Sequence, residues 1–295
     1  MRVLILNIDS KIPNLALKKI EKYHIDKGDE VVWDFELYNS DKIYVSCIFD
    51  WNKSKCREFE GRAEIGGTGY DLKIKLPDYI EKLKPKLNMG FTTRGCIRKC
   101  EYCVVPDKEG KIYIVGDLYD LWDGKSKEVT LFDNNILALP KQFFKICEQS
   151  QKENIRLDFN QGLDIRLLND SVAKTLKETK LKEYRFAFDD IKLMKIVSRK
   201  IEILDKYKIR GLWYVLGGFK TTWQDSVDRI NYLVKNKQRA YYMKHKFVDK
   251  DQRFSAVDTW CNHPMLGHGT IPFKDFLNNT PRGRTYLKHF SKEEI

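Results

Sequence analysis

Three cysteines crowd into the segment RGCIRKCEYCVVP, residues 94–106. Cys96, Cys100 and Cys103 follow the spacing C-x3-C-x2-C, close enough for their thiolates to bind one inorganic group. Three thiolates can ligate three irons of a four-iron, four-sulfur cluster, whose full ligation by protein needs four cysteines. A three-cysteine loop therefore leaves one iron open to a ligand that is not protein. Zinc is the rival. Cys96, Cys100, Cys103 and a histidine would complete a tetrahedral set, but zinc ligands usually come as two separated pairs. The third reading is three buried, unligated thiols, and it sits badly with this crowding. The spacing favours the cluster.

The elements that would position such a group alternate from about residue 88. Strand candidates are 90–93, 128–132, 155–159, 183–188, 211–218 and 239–245. Helix candidates fall at 140–152, 169–179, 190–207 and 222–237. This rhythm predicts an α/β fold with a parallel barrel-type array. Polar residues and glycines recur just after the strands, where barrel sites form: Asp133, Asn134 and Asn135, then Asn160 and Gln161, then Asp189, then Gly217 and Gly218. Ahead of the array, VLIL at 3–6, the helical spacing over 14–28, VVWDF at 31–35 and KIYVSCIF at 42–49 predict a small open α/β, Rossmann-like domain. EIGGTGYD marks a tight loop after a short strand, and 78–87 reads as a helix or linker closed by Pro85. The expected division is 1–87, 88–250 and a C-terminal cap over 251–295.

At 295 residues, with 42% hydrophobic and 33% charged side chains, the chain has a globular profile with room for about two domains. No window approaches about 18 uncharged apolar residues, which argues against a membrane span. The N-terminal apolar run is short and is followed by Asp9 and Lys11, unlike a signal peptide. Seven cysteines without an export signal suit a reducing, cytoplasmic location. Lys and Arg number 54 against 42 Asp and Glu, a net charge of +12. That excess is compatible with a polyanion such as RNA or DNA, although the lysines are spread along the chain.

On C-x3-C-x2-C, with the aromatic Tyr102 before the third cysteine, the sequence resembles the radical S-adenosylmethionine (SAM) superfamily. FDNN at 132–135 stands where that superfamily often has a GGE loop. NQGLDIRLL at 160–168, RFAFDD at 185–190 and YVLGGF at 214–219 look like its later SAM-contacting strand ends. The resemblance spans roughly 88–250. It implies a partial (β/α)6 TIM-type barrel holding a 4Fe-4S cluster and SAM. It also implies a reductant protein such as flavodoxin or ferredoxin. The implied reaction is reductive cleavage of SAM to a 5′-deoxyadenosyl radical that abstracts hydrogen from a substrate.

The resemblance makes Cys96, Cys100 and Cys103 the cluster ligands and lays Tyr102 against adenine. It gives Asp133, Asn134 and Asn135 to the SAM amine, Asn160 or Gln161 to ribose, and Arg185 to the SAM carboxylate. Asp189 and Asp190 would reach ribose or substrate, and Gly217 and Gly218 would let the backbone approach adenine. Each of these later residues also has a plain structural reading, as a helix cap, a turn or a salt bridge.

Residues 1–87 resemble the cobalamin-binding-like domain that precedes many radical SAM barrels. The Asp-x-His-x-x-Gly motif of cobalamin domains is missing, since Ser10, Lys11 and Ile12 follow Asp9. His24 is read as a surface residue of a helix. Cobalamin is therefore not expected, and the front domain is assigned to packing or substrate recognition. The cysteine loop also looks like that of radical SAM RNA methylthiotransferases. Those enzymes hold a second cluster on three front-domain cysteines, whereas only Cys47 and Cys56 occur here, with Cys47 placed in a strand. Cys261, His263 and His268 are too loosely spaced for a metal site and are read as structural. The expected substrate is a nucleic acid or nucleotide-derived group, with a peptide or small metabolite as rival. The reading from another class is a non-catalytic nucleic-acid-binding protein with a structural zinc or iron–sulfur site.

Overall fold

Val3, Leu4 and Ile5 are consecutive and all solvent-free, the mark of a parallel strand covered on both faces. The computed structural model describes residues 1–33, 39–266 and 269–294, divided into two compact units, Met1–Lys125 and Ser126–Ile295. In the first unit, β1 (Arg2–Asn7) is an inner strand. It pairs in parallel with β2 (Glu30–Trp33) and β3 (Lys42–Ser46), and β3 pairs with β4 (Glu64–Gly66), giving the order β2-β1-β3-β4. The expected strand over 31–35 is present to Trp33; residues 34 and 35 lie outside the described residues. Helix α1 (Leu15–Asp26) begins at Asn14, whose side chain accepts from the N–H groups of Ala16 and Leu17 and donates to Ser46 Oγ at 2.9 Å. Its Leu17 and Ile20 pack with Val3, Ile5 and Tyr44 on one face of the sheet. Leu4, Ile43, Val45, Cys56 and Phe59 form the core on the other. Cys56 and Phe59 come from 3-10 turns over Asp50–Phe59, which the apolar pattern does not signal.

Four expectations for this unit need correction. The strand expected over 90–93 is split into short strands at Met89–Gly90 and Thr93–Arg94. The strand at 42–49 ends at Ser46, so Cys47 lies just beyond it, buried beside Cys56. The helix at 78–87 is a single turn, α2 (Asp78–Glu81), stopped well before Pro85. His24 is not on the surface. It is 1% exposed, with Nδ1 2.7 Å from Asp29 Oδ2 and Nε2 3.1 Å from Tyr44 Oη. Helical periodicity places residue 24 on the buried face of α1, and the two partners that make burial tolerable come from outside the helix. The His24 hydrogen bond, before the N-terminal ammonium, holds the Asp29 carboxyl below its ordinary pKa. Stability from this bond is complete above the ordinary aspartate pKa and is lost as pH falls through the lowered value. Changing His24 to alanine is expected to cost about 2 kcal/mol by orphaning the buried Tyr44 hydroxyl and emptying the space of a buried ring, read as a lower urea midpoint at neutral pH.

The unit continues through β5 (Met89–Gly90), β6 (Thr93–Arg94), α3 (Val105–Lys108), β7 (Tyr113–Ile114) and α4 (Leu118–Leu121). Strands β6 and β7 form an antiparallel ladder. The sequence pattern assigns no element to the stretch after the cysteines.

The second unit alternates strands and helices as expected: β8 (Glu128–Leu131), α5 (Pro140–Glu153), β9 (Arg156–Phe159), α6 (Asp170–Glu178), β10 (Arg185–Ala187), α7 (Met194–Lys206), β11 (Leu212–Gly217), α8 (Trp223–Lys235) and β12 (Arg239–Lys244). Helices α9 (Gln252–Asn262), α10 (Phe273–Asn279) and α11 (Pro281–Arg284) make up the tail. Strands β8 and β9 are parallel, as are β10, β11 and β12. Single parallel bridges, Leu157 to Leu181 and Leu163 to Phe186, join the two groups. The carboxyl ends of all five strands therefore share one edge. No helix among the described residues is long and apolar enough to cross a membrane.

Candidate iron–sulfur and SAM site

The cysteine loop begins at a backbone constraint. Gly95 has φ +82°, and a Cβ there would lie 2.4 Å from the Lys111 carbonyl oxygen. Only glycine permits that approach, which lets Cys96 N–H donate to Gly110 O at 3.1 Å and turns the chain into the loop. Arg94 anchors the base: its guanidinium pairs with Glu81 at 2.7 Å and Glu109 at 2.8 Å and lies over the Phe91 ring. Within the loop, Cys103 N–H donates to Cys100 O at 3.0 Å, and Arg98 N–H donates to Cys96 Sγ at 3.3 Å.

The seven cysteines fall into two environments. Cys47, Cys56, Cys147 and Cys261 are buried. Burial pushes the thiols of Cys47, Cys147 and Cys261 up to about 12, and that of Cys56 up as well. Cys96, Cys100 and Cys103 are only half-buried, open to iron and sulfide. Tyr102 shares their loop and is 37% exposed. No three His, Cys, Asp or Glu among the described residues converge on a single metal ion. A cluster asks for something else, with each cysteine holding a different iron, and the loop's donor set fits that demand. Substituting Gly95 with alanine should strain the turn by about 1–3 kcal/mol. The expected result is lower iron content than wild type after identical anaerobic reconstitution, with far-UV circular dichroism unchanged.

In the second unit, the carboxyl edge gathers most of the remaining candidate residues. Asp133 and Asn135, beyond β8, are buried and Asn134 is half-buried. Asn135 Nδ2 donates to Asp164 Oδ2 at 3.2 Å, and Asp164 is also held by Arg166 Nε at 2.6 Å. Beyond β9, Asn160 O accepts from Tyr214 Oη at 2.9 Å, and Gln161 is exposed. Asp189, beyond β10, accepts from Leu216 N–H at 3.2 Å, while Asp190 caps the turn Ile191–Leu193. A Cβ on Gly217 would fall 1.8 Å from Tyr242 Oη, and one on Gly218 (φ +84°) 2.1 Å from Val248 Cγ2. These glycines thus serve packing inside the unit. Arg185 stands apart, at the start of β10, in ion pairs with Asp158 and Glu183. Cys261, in α9, is buried with Sγ 3.6 Å from Ala240 O, and His263 Nδ1 accepts from Met265 N–H at 3.3 Å. His268 lies outside the described residues.

Two groups escape sequence reasoning. Asp164 ties the loops after β8 and β9 together. The other is Arg229, in the interior of α8 and 0% exposed. It donates to Phe188 O at 2.6 Å, Leu216 O at 2.9 Å and Asp225 O at 3.0 Å, gripping the carboxyl ends of β10 and β11. Burial lowers its pKa, opposed first by the charge of Asp189. Its only sequence signal is a charge at a buried helical position.

No family model and no curated protein matches the sequence. The fold, however, is similar to that of solved structures. One is the radical SAM methyltransferase TsrM from Kitasatospora setae with cobalamin and a 4Fe-4S cluster bound, at TM-score 0.62 and 11% identity over 82% of this chain and 74% of that one. A second is TsrM with tryptophan substrate and a SAM analogue, at TM-score 0.60 and 11% identity over 82% and 72%. The shared feature is a mixed α/β fold with parallel sheets. This overturns one expectation. The missing histidine motif argues against cobalamin, yet a protein of similar fold carries it. The matched share of this chain exceeds the length of residues 88–295, so it includes part of residues 1–87. Such a motif marks one way of ligating cobalt and does not define which sheets hold the cofactor.

Proposed function

We propose that this protein is a radical SAM enzyme. Cys96, Cys100 and Cys103 hold a 4Fe-4S cluster, and the carboxyl edge of β8–β11 orients SAM through Asp133, Asn135, Asn160 and Asp189. The observation that carries the proposal is the contrast among the cysteines. The three spaced C-x3-C-x2-C share one half-exposed loop with a backbone N–H on Cys96 Sγ, and the other four are buried. The likeness to TsrM in fold supports it. Bound together, cluster and SAM would supply a 5′-deoxyadenosyl radical for hydrogen abstraction, with electrons from a flavodoxin- or ferredoxin-type reductant. The chain's part is to ligate, orient and exclude water.

The proposal extends to cobalamin at the carboxyl edge of the front sheet. There Phe49 and Trp51 stack with ring centroids 4.6 Å apart, and Trp51 is 72% exposed, leaving apolar area for a large planar cofactor.

The test is anaerobic reconstitution with iron and sulfide, addition of SAM and a strong reductant, and quantification of 5′-deoxyadenosine by mass spectrometry. Product is expected. A full iron–sulfur load without product overturns the proposal.

A further inference from the structure

The carboxyl ends of β11 and β12 carry an aromatic cluster beside Gly217 and Gly218, built from side chains given no role so far. Phe219 and Phe247 stack with centroids 5.9 Å apart and planes inclined by 24°. His245 meets both edge-on, at 5.1 and 4.3 Å. The cluster is pinned from beneath, since His245 N–H donates to Gly217 O at 2.9 Å and His245 Nδ1 accepts from Phe247 N–H at 3.2 Å. Burial and the neighbouring Lys246 keep the His245 imidazole below its ordinary pKa, so at neutral pH it is an uncharged ring. Phe247 is nonetheless 71% exposed. A phenylalanine held by ring contacts on one side and facing water on the other is a stacking surface ready for a partner.

The charge around it names the partner. Lys220 and Lys246 adjoin the rings in sequence and, like Lys250, are exposed, while the nearby acids Asp249 and Asp251 pair with Lys244 and Arg253; Lys220 Nζ lies 5.8 Å from the Phe219 centroid. Nearly all of the chain's excess of Lys and Arg over Asp and Glu falls in residues 126–295, while residues 1–125 are close to balanced. Aromatic planes set among cations fit unstacked bases on a polyanionic backbone. A duplex hides its base faces and a neutral metabolite gains nothing from the lysines.

We propose that Phe219, His245 and Phe247 form a stacking platform for a base of single-stranded nucleic acid, with Lys220, Lys246 and Lys250 on its phosphates. As a claim about substrate this rests on the radical SAM reading; as a claim about binding it stands without it.

The test is fluorescence anisotropy of labelled oligo(U) and oligo(dT), each about 12 nucleotides long, with the full-length cluster-loaded protein over about 50–200 mM salt. Phe247→Ala is expected to weaken binding on the order of tenfold with an unchanged salt slope. Lys246→Ala and Lys250→Ala are each expected to flatten the slope by about 0.7. A preference for either sugar supports the proposal and identifies the source. Wild-type affinity in Phe247→Ala, no binding at the lowest salt, or competitive displacement by SAM overturns it, the last by assigning the platform to SAM's adenine. Measuring 5′-deoxyadenosine on the same wild-type preparation keeps the two failures apart. Cleavage without Phe247-dependent binding sinks the platform alone, and Phe247-dependent binding without cleavage sinks the enzyme reading alone.

Discussion

Changing Cys100 to alanine is expected to abolish 5′-deoxyadenosine formation, taking it to the level of a reaction without protein. Two remaining thiolates leave a second iron without a protein ligand, and a cluster held at two corners is not retained. The other four cysteines offer no rescue. Cys47, Cys56, Cys147 and Cys261 are buried, their thiols held protonated by desolvation, and ligation requires the thiolate. Cys100 itself is half-buried on a loop, so the substitution opens no core cavity. The variant should keep wild-type far-UV circular dichroism and urea midpoint as apoprotein while losing iron and cleavage together. Retained cleavage would remove Cys100 from the ligand set.

The second large effect is expected at Arg229. Arg229→Met keeps most of the side chain's volume and removes its donors. The carbonyls of Phe188 and Leu216, which sit at the carboxyl ends of β10 and β11, would lose charged hydrogen-bond partners in a dry interior. The expected loss is about 3 kcal/mol, read as a lower urea midpoint. Asp189 follows β10, accepts from Leu216 N–H of β11, and is the main charge balancing Arg229. The same substitution should therefore weaken SAM binding, measured by equilibrium dialysis on the folded variant. A wild-type urea midpoint would mean that water or another donor replaces the guanidinium.

Much of the chemistry is legible in the order of residues alone. Cys96, Cys100 and Cys103 are separated by three and two residues, so chain connectivity keeps them together. The strands and helices of residues 128–237 follow from short apolar runs alternating with helical periods, because burial imposes those periods directly. Asn160 and Asp189 stand out by their place after strands. His24 reads wrongly for the opposite reason. Its burial depends on Asp29 and on Tyr44, twenty residues away, and a helical pattern reports a face without reporting what lies opposite. The turns over Asp50–Phe59 and the ladder of β6 with β7 escape the pattern because short elements carry too few residues for a period to show.

The sequence by itself determined the spacing of the three crowded cysteines, the order of parallel elements and the excess of positive charge. These are properties of neighbours along the chain or of composition. Only the tertiary structure decided which cysteines are half-exposed and which are sealed. Only it joined Asn135 to Asp164, set Arg229 across two strand ends, paired Arg185 with Asp158, and stacked Phe219 on Phe247. Each of those outcomes depends on residues brought together from separate elements. Burial and hydrogen-bond satisfaction are settled by that packing, on which spacing along the chain is silent.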